Sequence, residues 1–124
     1  MIWQWLLYTT AVCQMSASKK GRIAMVFIES PANPTNSLVD INALNRVLDV
    51  IKSETGHRPI SVCDNTLMGP IFQQVVPQGI DIAMYSLTKY VGGHSDLVAG
   101  AVCGSIEMLR PVRATRGMLG LTLD

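Results

Sequence analysis

"IAMVFIESPANPTNSLVDINALNRVLDVIKSETGHRPISVCD", residues 23–64, decides the fold. Its first part, Ile23 to Glu29, is a nearly continuous apolar run of the length expected for a strand buried on both faces. "SPANPTNS" then stops the run with two prolines and two asparagines. Asp40 stands where a helix N-cap belongs, and Ile41, Leu44, Val47, Leu48 and Ile51 recur at helical spacing before Gly56 ends the segment. "PISVCD", Pro59 to Asp64, is again apolar and strand-like. Strand, helix, strand at these lengths predicts an α/β layer with mostly parallel strands.

Working outward, a "MGP" turn at 68–70 and a short helical piece ending near Gly79 lead to a third strand, "DIAMYS", Asp81 to Ser86. "LVAGAVCG", Leu97 to Gly104, offers a fourth, and Ser105 to Arg116 mixes apolar and basic residues at roughly helical spacing, with Pro111 expected to kink it. The expected fold is therefore α/β, a mostly parallel sheet with flanking helices. Such sheets collect ligands at the carboxyl ends of their strands. Three polar clusters fall there: Glu29 to Asn36, Asp64 to Thr66, and Ser86 to Lys89.

Composition narrows the function classes. With 124 residues, 48% of them hydrophobic, the chain is long enough for one packed domain. A formal net charge of +1 supplies no basic stripe for nucleic acid, so a small-molecule substrate is favoured. Cys13, Cys63 and Cys103 are an odd, scattered set that suggests neither disulfides nor zinc. Cys63 and Cys103 lie in apolar runs and are expected to be small buried hydrophobes. His57 and His94 have no partners at metal-ligand spacing, so no metal is assigned. Residues 1–18 are apolar but have no leading basic residue, and the run is too short to span a bilayer. They read as a terminal helix, with a secretory leader as the lesser alternative.

A carboxylate, a lysine and hydroxyls on one rim suit pyridoxal phosphate. Lys89 can condense with its aldehyde, Asp64 can hold its protonated ring nitrogen, and Ser86 and Thr88 can donate to its phosphate. Each residue alone also has an ordinary reading: a solvated lysine, a turn-forming Asp-Asn, a helix-capping Ser-x-Thr. Gly92-Gly93 belongs to no phosphate-cradling motif.

The ordered combination says more. "DIAMYSLTKYVGGHSD" resembles the pyridoxal-lysine signature of the Cys/Met metabolism family, the group of cystathionine γ-synthase, cystathionine γ-lyase and methionine γ-lyase. "ESPANPTNSLVDI" and "CDNTLMGPIFQQ" resemble its two preceding blocks in the right order, and the likeness covers roughly Lys20 to Asp124. The resemblance implies a partial large domain of a fold-type I, aspartate-aminotransferase-like pyridoxal enzyme. Lys89 becomes the Schiff-base lysine, Asp64 the ring-nitrogen partner, and Ser86 and Thr88 the phosphate ligands. Asn33 corresponds to the asparagine reaching the cofactor's phenolic oxygen, and Thr66 to a contact beside Asp64. Glu29 is expected to order the loop, and Tyr85 and Tyr90 to pack.

The implied activity is γ-elimination or γ-replacement on a sulfur amino acid or O-acylhomoserine, in a cytoplasmic homo-oligomer, a tetramer of dimeric units. An aminotransferase shares the lysine and aspartate logic but not the "SLTKYVGGHS" context. Neither the family's upstream phosphate loop and ring-stacking tyrosine nor its downstream substrate-binding arginine matches anything here. We therefore expect an atypical segment over 1–18 joined to a partial pyridoxal-binding domain over 19–124, a fragment unable to turn over alone. The alternative is a non-catalytic relative that associates with full-length members.

Overall fold

Asp40 starts the central helix as its spacing predicts: its carboxylate accepts the Ala43 amide at 2.9 Å. Gly56, at φ 74°, ends the helix in the left-handed region that favours glycine. The computed structural model describes residues 16–122. Its helices are α1 (Ala17–Lys20), α2 (Ile41–Thr55), α3 (Gly69–Phe72) and α4 (Ile106–Leu119). Its strands are β1 (Met25–Glu29), β2 (Ile60–Asp64), β3 (Ile82–Ser86) and β4 (Gly100–Gly104). The reading of the first residues as a terminal helix lies outside the described residues up to position 15, and so does Cys13.

The four strands lie in chain order. β1, β2 and β3 are parallel, and β4 returns antiparallel to β3. This is the expected α/β layer with a mostly parallel sheet. The α2 stripe of Ile41, Leu44, Leu48 and Ile51 packs on Ile28, Cys63, Ala83 and Tyr85, joined by Val75 and Ile80 from the connection before β3. Each buried Leu, Ile or Val of this cluster contributes about 1.5–3 kcal/mol by leaving water. At the amino end of β2 and β3, Asp81 Oδ2 accepts from Arg58 Nη1 at 2.9 Å and from the Ser61 amide and hydroxyl, both at 2.8 Å. Arg58 also donates to Asn45 Oδ1 at 3.0 Å, which ties α2 to this strand end.

Three expectations need correction. β1 is not buried on both faces: Val26 and Ile28 turn toward α2, but Met25 and Phe27 are 52% and 55% exposed. α2 covers one face only, and no described element covers the other over β1. Cys103 is exposed rather than buried. It sits on β4, which is the last strand of the described sheet and lies beyond the reach of the α2 stripe. Tyr90 does not pack; it is 70% exposed in the turn after β3.

Candidate cofactor site

Parallel register aligns the carboxyl ends of β1 and β2, pairing Glu29 with Asp64, while Asp64 lies opposite Met84 and β3 runs on to Ser86. All three polar clusters therefore meet the same rim. Asp64, half-buried, accepts at Oδ1 from the Thr66 amide at 3.0 Å and from Thr66 Oγ1 at 2.6 Å. The Ser86 amide donates to that same Thr66 Oγ1 at 2.8 Å. An amide can only donate, so Thr66 Oγ1 is the acceptor from Ser86 and sends its single proton to Asp64. Asp64 Oδ2 and Ser86 Oγ make no bond among the described residues.

Leu87–Val91 form one wide turn after β3, closed by the Gly92 amide on the Leu87 carbonyl at 2.7 Å. A side chain at 92 is excluded, because its Cβ would meet Leu87 O at 2.8 Å. The glycine serves this close approach. Lys89 projects from the turn exposed, and no bond joins it to Asp64. Thr88 is occupied locally: its hydroxyl donates to Ala99 O at 3.2 Å and accepts the Ala99 amide at 2.9 Å. Asn33 is exposed beyond β1, its amide donating to Glu29 Oε1 at 3.2 Å, so Glu29 does order the loop. Thus the fold joins Asp64, Thr66 and Ser86 directly, while Lys89, Thr88 and Asn33 stand on neighbouring segments of the rim.

One residue here escaped the sequence reading. Asn65 is fully buried, and its Nδ2 approaches Gly69 O at 3.2 Å, Gln73 O at 2.7 Å and Tyr85 Oη at 3.2 Å. It pins the loop carrying Thr66 to β3, while its Oδ1 has no partner. An Asp-Asn pair at a strand end was the available signal, but turn chemistry explained it equally well. Cys63, on the opposite face from Asp64, has its thiol pushed up to about 11 by burial, then by the Asp64 charge.

Residues 6–124 match the family model described as Cys/Met metabolism PLP-dependent enzyme. The chain belongs to that family. It is 34% identical to cystathionine gamma-synthase 1, chloroplastic, of Arabidopsis thaliana, over 88% of this chain and 18% of that protein. Human cystathionine gamma-lyase is 42% identical over 68% of this chain and 20% of its own length. Crystalline apo CalE6, a methionine gamma lyase from Micromonospora echinospora, superposes with a TM-score of 0.69 at 34% identity. That superposition covers 78% of this chain and 25% of CalE6. The chain thus spans about a fifth of the length of these two curated relatives.

The family's pyridoxal phosphate is compatible with the residues present. Asp64 has one carboxylate oxygen held and one open, which suits a protonated ring nitrogen. Among the described residues, Ser86 Oγ is an uncommitted donor for a phosphate oxygen and Lys89 an uncommitted primary amine. The Thr88 hydroxyl has its proton on Ala99 and must turn away from it to donate elsewhere.

Proposed function

We propose that this chain carries the pyridoxal-phosphate-binding part of a transsulfuration enzyme, acting by γ-elimination or γ-replacement on a sulfur amino acid or an O-acylhomoserine. The observation that carries the reading is the Asp64 carboxylate, saturated at Oδ1, open at Oδ2 and one hydrogen-bonded residue away from Ser86. When bound, the cofactor supplies an aldehyde for an amine and a ring that accepts electron density from the substrate carbon. Lys89 Nζ is the amine that anchors it and, once released, the base that takes protons from the substrate. Asp64 Oδ2 keeps the ring nitrogen protonated, and Ser86, with Thr88, binds phosphate. Asn33 orients the ring from the β1 side.

Family membership supports an amino-acid substrate and an oligomeric enzyme, in the proposal a cytoplasmic tetramer of dimers. No described helix is long and apolar enough to cross a membrane. The domain boundary proposed near residue 19 divides the cofactor-binding part from the segment before it.

Borohydride reduction of the chain incubated with pyridoxal phosphate, followed by peptide mass spectrometry, tests the reading. The expected adduct is on Lys89 and is lost in Lys89→Ala. Absence of an adduct, or equal labelling of the variant, overturns it.

The exposed Met25 and Phe27 favour a second reading, that the chain associates with a full-length relative through this bare sheet face without turning over substrate itself. Co-purification with that relative and no turnover of cystathionine, methionine or O-acylhomoserine by the chain alone support it. Turnover by the isolated chain excludes it.

A further inference from the structure

We infer that Thr66 is a positioning residue that acts through Asp64 and Ser86, joining the ring-binding and phosphate-binding halves of the site, rather than a cofactor contact. The inference rests on the pyridoxal-phosphate reading above and goes beyond it. The hydroxyl has one proton and two lone pairs. The proton is on Asp64 Oδ1 at 2.6 Å, and one lone pair takes the Ser86 amide at 2.8 Å. The Thr66 amide adds a second donor to the same carboxylate oxygen at 3.0 Å. With Oδ1 doubly held, the carboxylate cannot rotate freely about its Cβ–Cγ bond, and Oδ2 alone is offered to a ligand. The bond to Ser86 N also fixes where β3 ends and where the Ser86 hydroxyl begins. Two strands whose last backbone bond runs from the Asn65 amide to the Met84 carbonyl at 2.9 Å are thereby tied one step further along by a side chain.

The test compares Thr66→Val, which keeps the shape and loses the hydroxyl, with Thr66→Ser, which keeps the hydroxyl. Pyridoxal phosphate uptake is followed by absorbance and by borohydride trapping at Lys89. Thr66→Val is expected to weaken uptake roughly ten-fold, since bonds to charged groups are at stake, and Thr66→Ser by less than about two-fold. Placed on Asp64→Ala, Thr66→Val is expected to add clearly less than on the parent, because no carboxylate remains to be held and only the Ser86 amide bond is still lost. A full additional loss on that background overturns the inference and makes Thr66 a direct contact. Uptake by Thr66→Val equal to the unsubstituted chain overturns it as well.

A second readout needs no cofactor. In the free chain the Ser86 amide proton resonance is expected to move upfield and exchange faster in Thr66→Val, and to stay in place in Thr66→Ser. An unmoved Ser86 amide in Thr66→Val overturns the bridge itself. Failure of the unsubstituted chain to take up cofactor instead overturns the reading of the site, so the two failures are separable. Should Thr66→Val not fold, Thr66→Ala is measured in its place under the same criteria.

Discussion

Cys63 and Asp64 are neighbours on β2 with opposite environments, because successive side chains of a strand point to opposite faces. Asp64 reaches the rim, whereas Cys63 is fully buried under α2 with its thiol raised from 9.0 to about 11. Burial favours the neutral thiol, so folding opposes its ionisation. The stabilisation is fully present below pH 9 and is lost as pH climbs through 11. At pH 8, iodoacetamide followed by peptide mapping is expected to label Cys103 and leave Cys63 intact until denaturant is added; labelling of both at equal rates would contradict the burial. At this scale the candidate site was partly legible. Asp64, Ser86 and Lys89 are recognisable from residue type and order at strand ends. The engagement of Thr88 was not, since it depends on Ala99, eleven residues away across a turn whose path no local pattern specifies.

Helix α2 is the element the sequence describes best, because cap, apolar stripe and stop signal all agree. Its burial follows the stripe: Leu48 and Ile51 are 0% and 1% exposed. Leu48→Ala is expected to cost roughly 2–5 kcal/mol and Asp40→Ala about 1 kcal/mol, both read as falls in the urea midpoint with an unchanged slope. A Leu48→Ala cost below that of Asp40→Ala would mean that α2 does not supply the main core contact. Strands were less legible. An apolar run identified β1 but not how many of its faces are covered, because that depends on which elements pack beside it. β4 was located, yet its direction was unspecified, since "LVAGAVCG" has no polarity that distinguishes parallel from antiparallel pairing.

On the scale of the whole molecule, the sheet is covered asymmetrically. α2 closes one face, while the other carries Met25 and Phe27 in the open and only α4 near β4, a helix without a single buried residue. β1 has β2 as its neighbour on one side and no described strand on the other, which leaves backbone donors and acceptors beside the two exposed apolar side chains. An uncovered edge next to an apolar face favours association with another surface of the same kind. The purified chain is therefore expected to show concentration-dependent self-association in size-exclusion chromatography with light scattering. Met25→Lys combined with Phe27→Lys should shift it toward monomer, by placing two like charges where two copies would meet. Neither side chain belongs to the core cluster, so the double variant should unfold within about 0.5 kcal/mol of the parent. Unchanged association in a folded double variant would move the sticky surface away from β1 and toward α4, where Ile106 and Met118 are 77% and 80% exposed. The same pair of measurements on Ile106→Lys with Met118→Lys then decides between the two faces.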